Sequence, residues 1–68
     1  MPETKALSEH VRAERIQRNE TQEMFAEHCG LSTDEISNIE NEKTDPRLST
    51  LKRIAAYVGG KVSDLVDY

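Results

Sequence analysis

Cysteine occurs once in this chain of 68 residues, at Cys29, so neither an internal disulfide nor a zinc site built on several thiolates is available. That usage agrees with a reducing compartment. No apolar run approaches the roughly 20 residues needed to span a bilayer, and the first seven residues lack the apolar stretch of a secretory signal. The chain therefore reads as cytoplasmic, with no membrane partner. Proline and glycine are sparse, and only Pro2, Pro46, Gly30, Gly59 and Gly60 punctuate the sequence. There is no internal repeat and no low-complexity tract. An excess of basic charge is also missing. Nine Lys and Arg stand against thirteen Asp and Glu, for a net charge of -4, opposite to the footprint expected of a nucleic-acid binder.

The periodicity that remains is helical. Residues 1–6 read as a flexible arm and residues 7–68 as one domain. Leu7 and Val11 lie four apart, followed by good helix formers to about residue 19, which gives a first helix. Thr21 fits an N-cap, Glu23 suits the positive end of a helix, and Met24, Phe25 and Cys29 share a face before Gly30 ends a second helix over residues 22–29. Ser32-Thr33-Asp34-Glu35 fits a capping box, with Ile36 and Ile39 on one face of a third helix over residues 33–41. Only Gly30, Leu31 and Ser32 separate the second and third helices, a spacing characteristic of a helix-turn-helix. Residues 41–48, broken by Pro46, read as a loop. Ser49 is the expected cap of a fourth helix carrying Leu51, Ile54, Ala55 and Val58 up to Gly59, and Ser63 opens a fifth with Leu65 and Val66. The expected fold is all-α, five short helices in a lambda-repressor-like arrangement.

The run Gln22-Glu23-Met24-Phe25-Ala26-Glu27-His28-Cys29-Gly30-Leu31-Ser32, then Ile36-Ser37-Asn38-Ile39-Glu40-Asn41 and Lys43-Thr44-Asp45-Pro46, resembles the phage-repressor or Cro/C1-type (XRE-like) helix-turn-helix family. The resemblance spans about residues 11–65. It implies that the third helix enters the major groove by its N-terminal half, with Thr33, Asp34, Ser37 and Asn38 reading bases. Asn38 suits adenine, and Asp34, which can only accept, suits a cytosine amino group. Thr21, Gln22, Ser32, Asn41, Lys43 and Thr44 would hold phosphates and fix register. Arg15 and Glu40 occupy positions that form an ion pair in this family, with a structural role. A double-stranded DNA operator is the implied partner, read by a homodimer joined through its C-terminal helices, and the implied function is sequence-specific transcriptional regulation, as a repressor. No enzymatic activity and no cofactor are expected, since the chain offers no plausible triad and no Gly-rich phosphate loop.

Three positions depart from the family pattern. Glu42 stands where glycine is usual, so the third helix is expected to end differently or to run one residue longer. Glu20 replaces an apolar residue, and Asn19 takes the place of a turn glycine. Asp34, Glu35 and Glu42 put negative charge where phosphates would sit, leaving Arg12, Arg18, Lys43, Arg47, Lys52 and Arg53 to offset it.

Plainer explanations stand beside these. Capping accounts for Glu35 and Asp34, simple solvation for Ser37 and Asn38, and loop chemistry for Lys43 and Thr44. Cys29 reads as a small core residue rather than a metal ligand with His28, and His10 and His28 as exposed. Tyr57, Val62, Leu65, Val66 and Tyr68 either pack on their own core or meet in a dimer. The acidic balance keeps a second function open, an antitoxin-like or adaptor module that binds a basic protein partner.

Overall fold

The computed structural model describes residues 2–43 and 45–60, with side chains described from Ala6 onward. Four helices follow in order: α1 (Pro2–Gln17), α2 (Gln22–Cys29), α3 (Thr33–Glu40) and α4 (Leu48–Val58). No strand occurs among the described residues. The described helices thus number four rather than the expected five. The helix anticipated from Ser63, with Leu65 and Val66, lies outside the described residues, as do Val62 and Tyr68.

Two boundaries differ from expectation. The first helix begins at Pro2, so residues 2–6, read as an arm, are continuous with α1. Proline at a first helical position has its φ already set and gives up an N–H that would have no intrahelical partner, which favours a start there. The fourth helix is capped by Arg47, in extended conformation, and not by Ser49, which falls inside its first turn. Arg47 makes no side-chain capping bond.

Each of the four helices ends in the same way. The residue just after a left-handed one sends its N–H back across five residues: Glu20 to the Arg15 carbonyl, Leu31 to Ala26, Lys43 to Asn38 and Gly60 to Ala55, all at 2.8–3.1 Å. This Schellman closure satisfies the last carbonyls and requires a left-handed residue in between. Gly30 and Gly59 supply it without strain, and Asn19 (φ 60) and Glu42 (φ 57) adopt it despite their Cβ atoms. The third helix therefore neither runs on nor ends differently. It stops at Glu40, with Asn41 as its cap, and the backbone imposes the usual glycine geometry on Glu42.

The core is aliphatic around one ring. Leu7, Val11, Phe25, Ala26, Cys29, Ile36, Ile39, Leu51, Ile54 and Ala55 are buried together, with α3 packed on α1 and α2, and α4 packed on α2. Burial raises the Cys29 thiol to about 11, so it stays protonated and behaves as a small apolar residue.

Polar groups hold the periphery of this core. Glu20, which stands in an apolar position of the family pattern, is 8% exposed and well partnered. Its carboxylate accepts the Tyr57 hydroxyl at 2.6 Å and meets His28 Nδ1 at 2.5 Å. Tyr57 in turn packs edge-on against Phe25, and the Arg18 guanidinium lies 5.3 Å from the centre of its ring. The bond from Tyr57 holds the Glu20 carboxyl below its ordinary value of 4.5, with His28 and Arg18 acting in the same direction and burial opposing them. The same bond raises the Tyr57 phenol.

Two outcomes are expected. Glu42→Gly relieves a left-handed side chain at no loss of contact and should raise stability by about 1 kcal/mol, read as a rise of roughly 4 °C in thermal unfolding. For Glu20, a folded-state value below the unfolded one means that its contribution is present above about pH 4.5 and is lost as pH falls through the lower, folded value. The urea midpoint of Glu20→Gln should therefore respond less than that of the natural chain to acidification below pH 5. A parallel decline in both would show that Glu20 does not titrate differently on folding.

Candidate nucleic-acid interface

The turn between α2 and α3 is built from local rules. Thr21 is extended and its Oγ1 accepts the Met24 N–H at 3.1 Å, which starts α2. Gly30, at φ 75, ends it, and Leu31 packs against the core. Ser32 then starts α3 through a complete capping box. Its Oγ accepts the Glu35 N–H at 3.1 Å, while the Glu35 carboxylate accepts the Ser32 N–H at 3.0 Å.

At the other end, α3 is held by arginines from α1. Arg15 donates from Nε and Nη2 to the two Glu40 oxygens at 2.8 and 3.0 Å, and from Nη1 to the Glu20 carbonyl at 3.1 Å. Arg12 donates to the Glu40 carbonyl at 2.8 Å and reaches the carboxylate at 3.4 Å. The Glu40 side chain is only 1% exposed, and its bond to Arg15 raises the guanidinium further above its already high value. Arg15 and Glu40 thus form a partly buried, two-point pair, and Arg12 supplies a second layer that the spacing of residues did not reveal.

With Ile36, Ile39 and Glu40 buried, the opposite side of α3 faces water. Asp34, Ser37, Asn38 and Asn41 follow at intervals of three and four along that side, and Thr33 is exposed beside them. The Asn41 amide donates to Ser37 Oγ at 3.3 Å, leaving the Ser37 proton to point elsewhere. The side chains of Asn38 and Asp34 have no bonded partner among the described residues, so their polar edges are open.

Of the residues expected on phosphates, Asn41 is the cap of α3 at the end of the row just described, and the other five divide into three groups. Gln22 is half-buried at the first position of α2, and Lys43 is exposed after α3. Thr21 and Ser32 are committed as caps; the Ser32 hydroxyl also reaches Glu35 Oε1 at 3.2 Å, which occupies its proton. Thr44 lies outside the described residues. Of the six cations expected to offset the acidic face, Arg12 is bound to Glu40 and Arg18 to Glu14. Lys43, Arg47, Lys52 and Arg53 are exposed and have no ion-pair partner among the described residues.

Relatives and solved structures agree with this geometry. A sequence profile of the helix-turn-helix family HTH_3 matches residues 11–65. An immunity repressor protein of Bacillus phage phi105 is 35% identical over 60 residues, 88% of this chain, and the chain spans 42% of that protein's length. A hypothetical transcription factor from Neisseria superposes with a TM-score of 0.85 at 27% identity, covering 93% of this chain and 72% of its own. A hydroxypropylphosphonic acid epoxidase from S. wedmorenis contains the same fold, with a TM-score of 0.80 at 21% identity over 96% of this chain and 35% of its own. The fold alone therefore occurs in an enzyme as well, and it is the sequence match across the capped turn and α3 that decides: the chain belongs to the helix-turn-helix family HTH_3.

Proposed function

We propose that the chain is a non-enzymatic, sequence-specific DNA-binding regulator, acting as a repressor, which reads a major-groove half-site with α3. The observation that carries this is the row Asp34, Ser37, Asn38 and Asn41 on the open side of a helix that is capped at one end and clamped at the other. A two-turn helix held this firmly presents side chains to a groove without paying to order them on binding. Thr33, Asp34, Ser37 and Asn38 meet base edges; Gln22, Asn41, Lys43 and Thr44 meet phosphates, with Thr21 and Ser32 placing backbone N–H groups of helix starts beside them. A homodimer through the C-terminal residues would set two half-sites about one helical turn apart. No described helix is long and apolar enough to cross a membrane, which fits work in the cytoplasm.

A second reading, a module for a basic protein partner, is favoured by the -4 charge and by Asp34, Glu35 and Glu42 around α3. Fluorescence anisotropy of the protein with the promoter fragment upstream of its own coding region and with a scrambled duplex, at two salt concentrations, separates the two. The regulator should prefer the promoter by at least about 1000-fold. Equal, weak binding to both duplexes at low salt would favour the protein-binding module instead. Within the DNA reading, Asn38→Ala should lose roughly 1 to 3 kcal/mol on the specific site and relax preference at one base position. Lys43→Ala should weaken both duplexes alike and reduce the salt slope by about 1.

A further inference from the structure

Beside the exposed face of α3, where its flank meets the loop and first turn of α4, the surface opens into a groove of about 570 Å³. That volume lies within the range of roughly 300 to 1000 Å³ typical of small-molecule sites. Leu31 and Pro46 give it an apolar side. Its polar wall is formed by Arg47, Ser49, Thr50 and Arg53.

Three features of that wall point to an anion. Arg47 and Arg53 have no hydrogen-bond or ion-pair partner among the described residues, in a chain where Arg12, Arg15 and Arg18 all do. The Arg53 guanidinium sits against the α2–α3 turn, with Nη1 2.9 Å from where a Cβ on Gly30 would lie. Thr50 is only 9% exposed, yet its hydroxyl has no partner among the described residues. A buried hydroxyl without a partner is costly, and a ligand oxygen would relieve it. The start of α4, which no side chain caps, adds the positive end of an 11-residue helix.

We propose that this groove binds the phosphate group of an organic phosphate, held by Arg47, Arg53 and the Thr50 hydroxyl at the start of α4. Glu35 and Asp45 also line the groove. The Glu35 carboxylate is turned to the Ser32 N–H and hydroxyl. The phosphate is that of a free, nucleotide-sized monoester. Bound there, the ligand covers Asn38, which lines the same groove, and, on the DNA-binding reading proposed above, acts as an effector that competes with base reading.

Titration of the ¹⁵N-labelled full chain with adenosine monophosphate and with inorganic phosphate, against chloride at matched ionic strength, tests the proposal. Saturable amide shifts at Leu31, Asn38 and Thr50 are expected, roughly tenfold weaker in Arg53→Gln. Thr50→Val should also weaken binding while leaving the melting temperature equal or higher, which a merely structural threonine would not do. The titration uses no DNA, so its outcome is separate from that of the DNA-binding reading. No saturable shift with either anion, equal affinity in Arg53→Gln, or shifts that appear with duplex DNA and with neither free anion would overturn the proposal.

Discussion

The bidentate bond between Arg15 and Glu40 is the constraint on which the rest of this small fold depends. Glu40 is the last residue of α3 and its carboxylate is almost wholly out of water, and the cost of that burial is offset by two guanidinium N–H groups that meet its two oxygens. The third Arg15 donor reaches the Glu20 carbonyl and fixes the turn before α2. One side chain thus ties together the end of α1, the start of the helix-turn-helix and the end of its second helix. An eight-residue helix has too few turns to hold itself in water, and α3 gains its position from this clamp, from Ile36 and Ile39, and from the capping box at its start.

The same logic explains how so small a core admits polar groups. A domain of this size keeps roughly 3 to 10 kcal/mol of net stability, so one unpaired buried charge would consume much of it. Glu20 avoids that outcome by drawing Tyr57 and His28 onto its carboxylate, and Tyr57 spends its ring on Phe25 and its hydroxyl on Glu20 at once. The acidic residue in an apolar family position is therefore a joint between the α1–α2 turn and α4, not a thinning of the core.

What was legible in the sequence follows the range of each interaction. The caps at Thr21 and Ser32, the stop at Gly30 and the buried faces of α2 and α3 arise from residues three or four apart, and spacing alone reveals them. The Arg15–Glu40 pair, 25 residues apart, came from the family resemblance and not from spacing. Arg12 on the Glu40 carbonyl and Tyr57 on Glu20 join residues 28 and 37 apart, which no local rule connects. Glu20 standing in an apolar position was the one signal that a polar partner had to be nearby. Glu42 misled for a related reason: propensity disfavours its left-handed backbone, but the return bond from Lys43 to Asn38 outweighs that preference. At the candidate interface, the row on α3 could be drawn from the helix period, as could the i,i+4 pair of Glu14 and Arg18, whereas the binding of Arg12 by Glu40 needed the folded chain.

The most direct test of the clamp is a double-mutant cycle on Arg15→Ala and Glu40→Ala, followed by urea unfolding at pH 7. If the pair holds α3 as described, the two residues should couple by at least about 2 kcal/mol, because either single change leaves a charge without its partner. A coupling below about 0.5 kcal/mol, the range of an exposed surface pair, would show that α3 is held in place by its apolar face and caps alone.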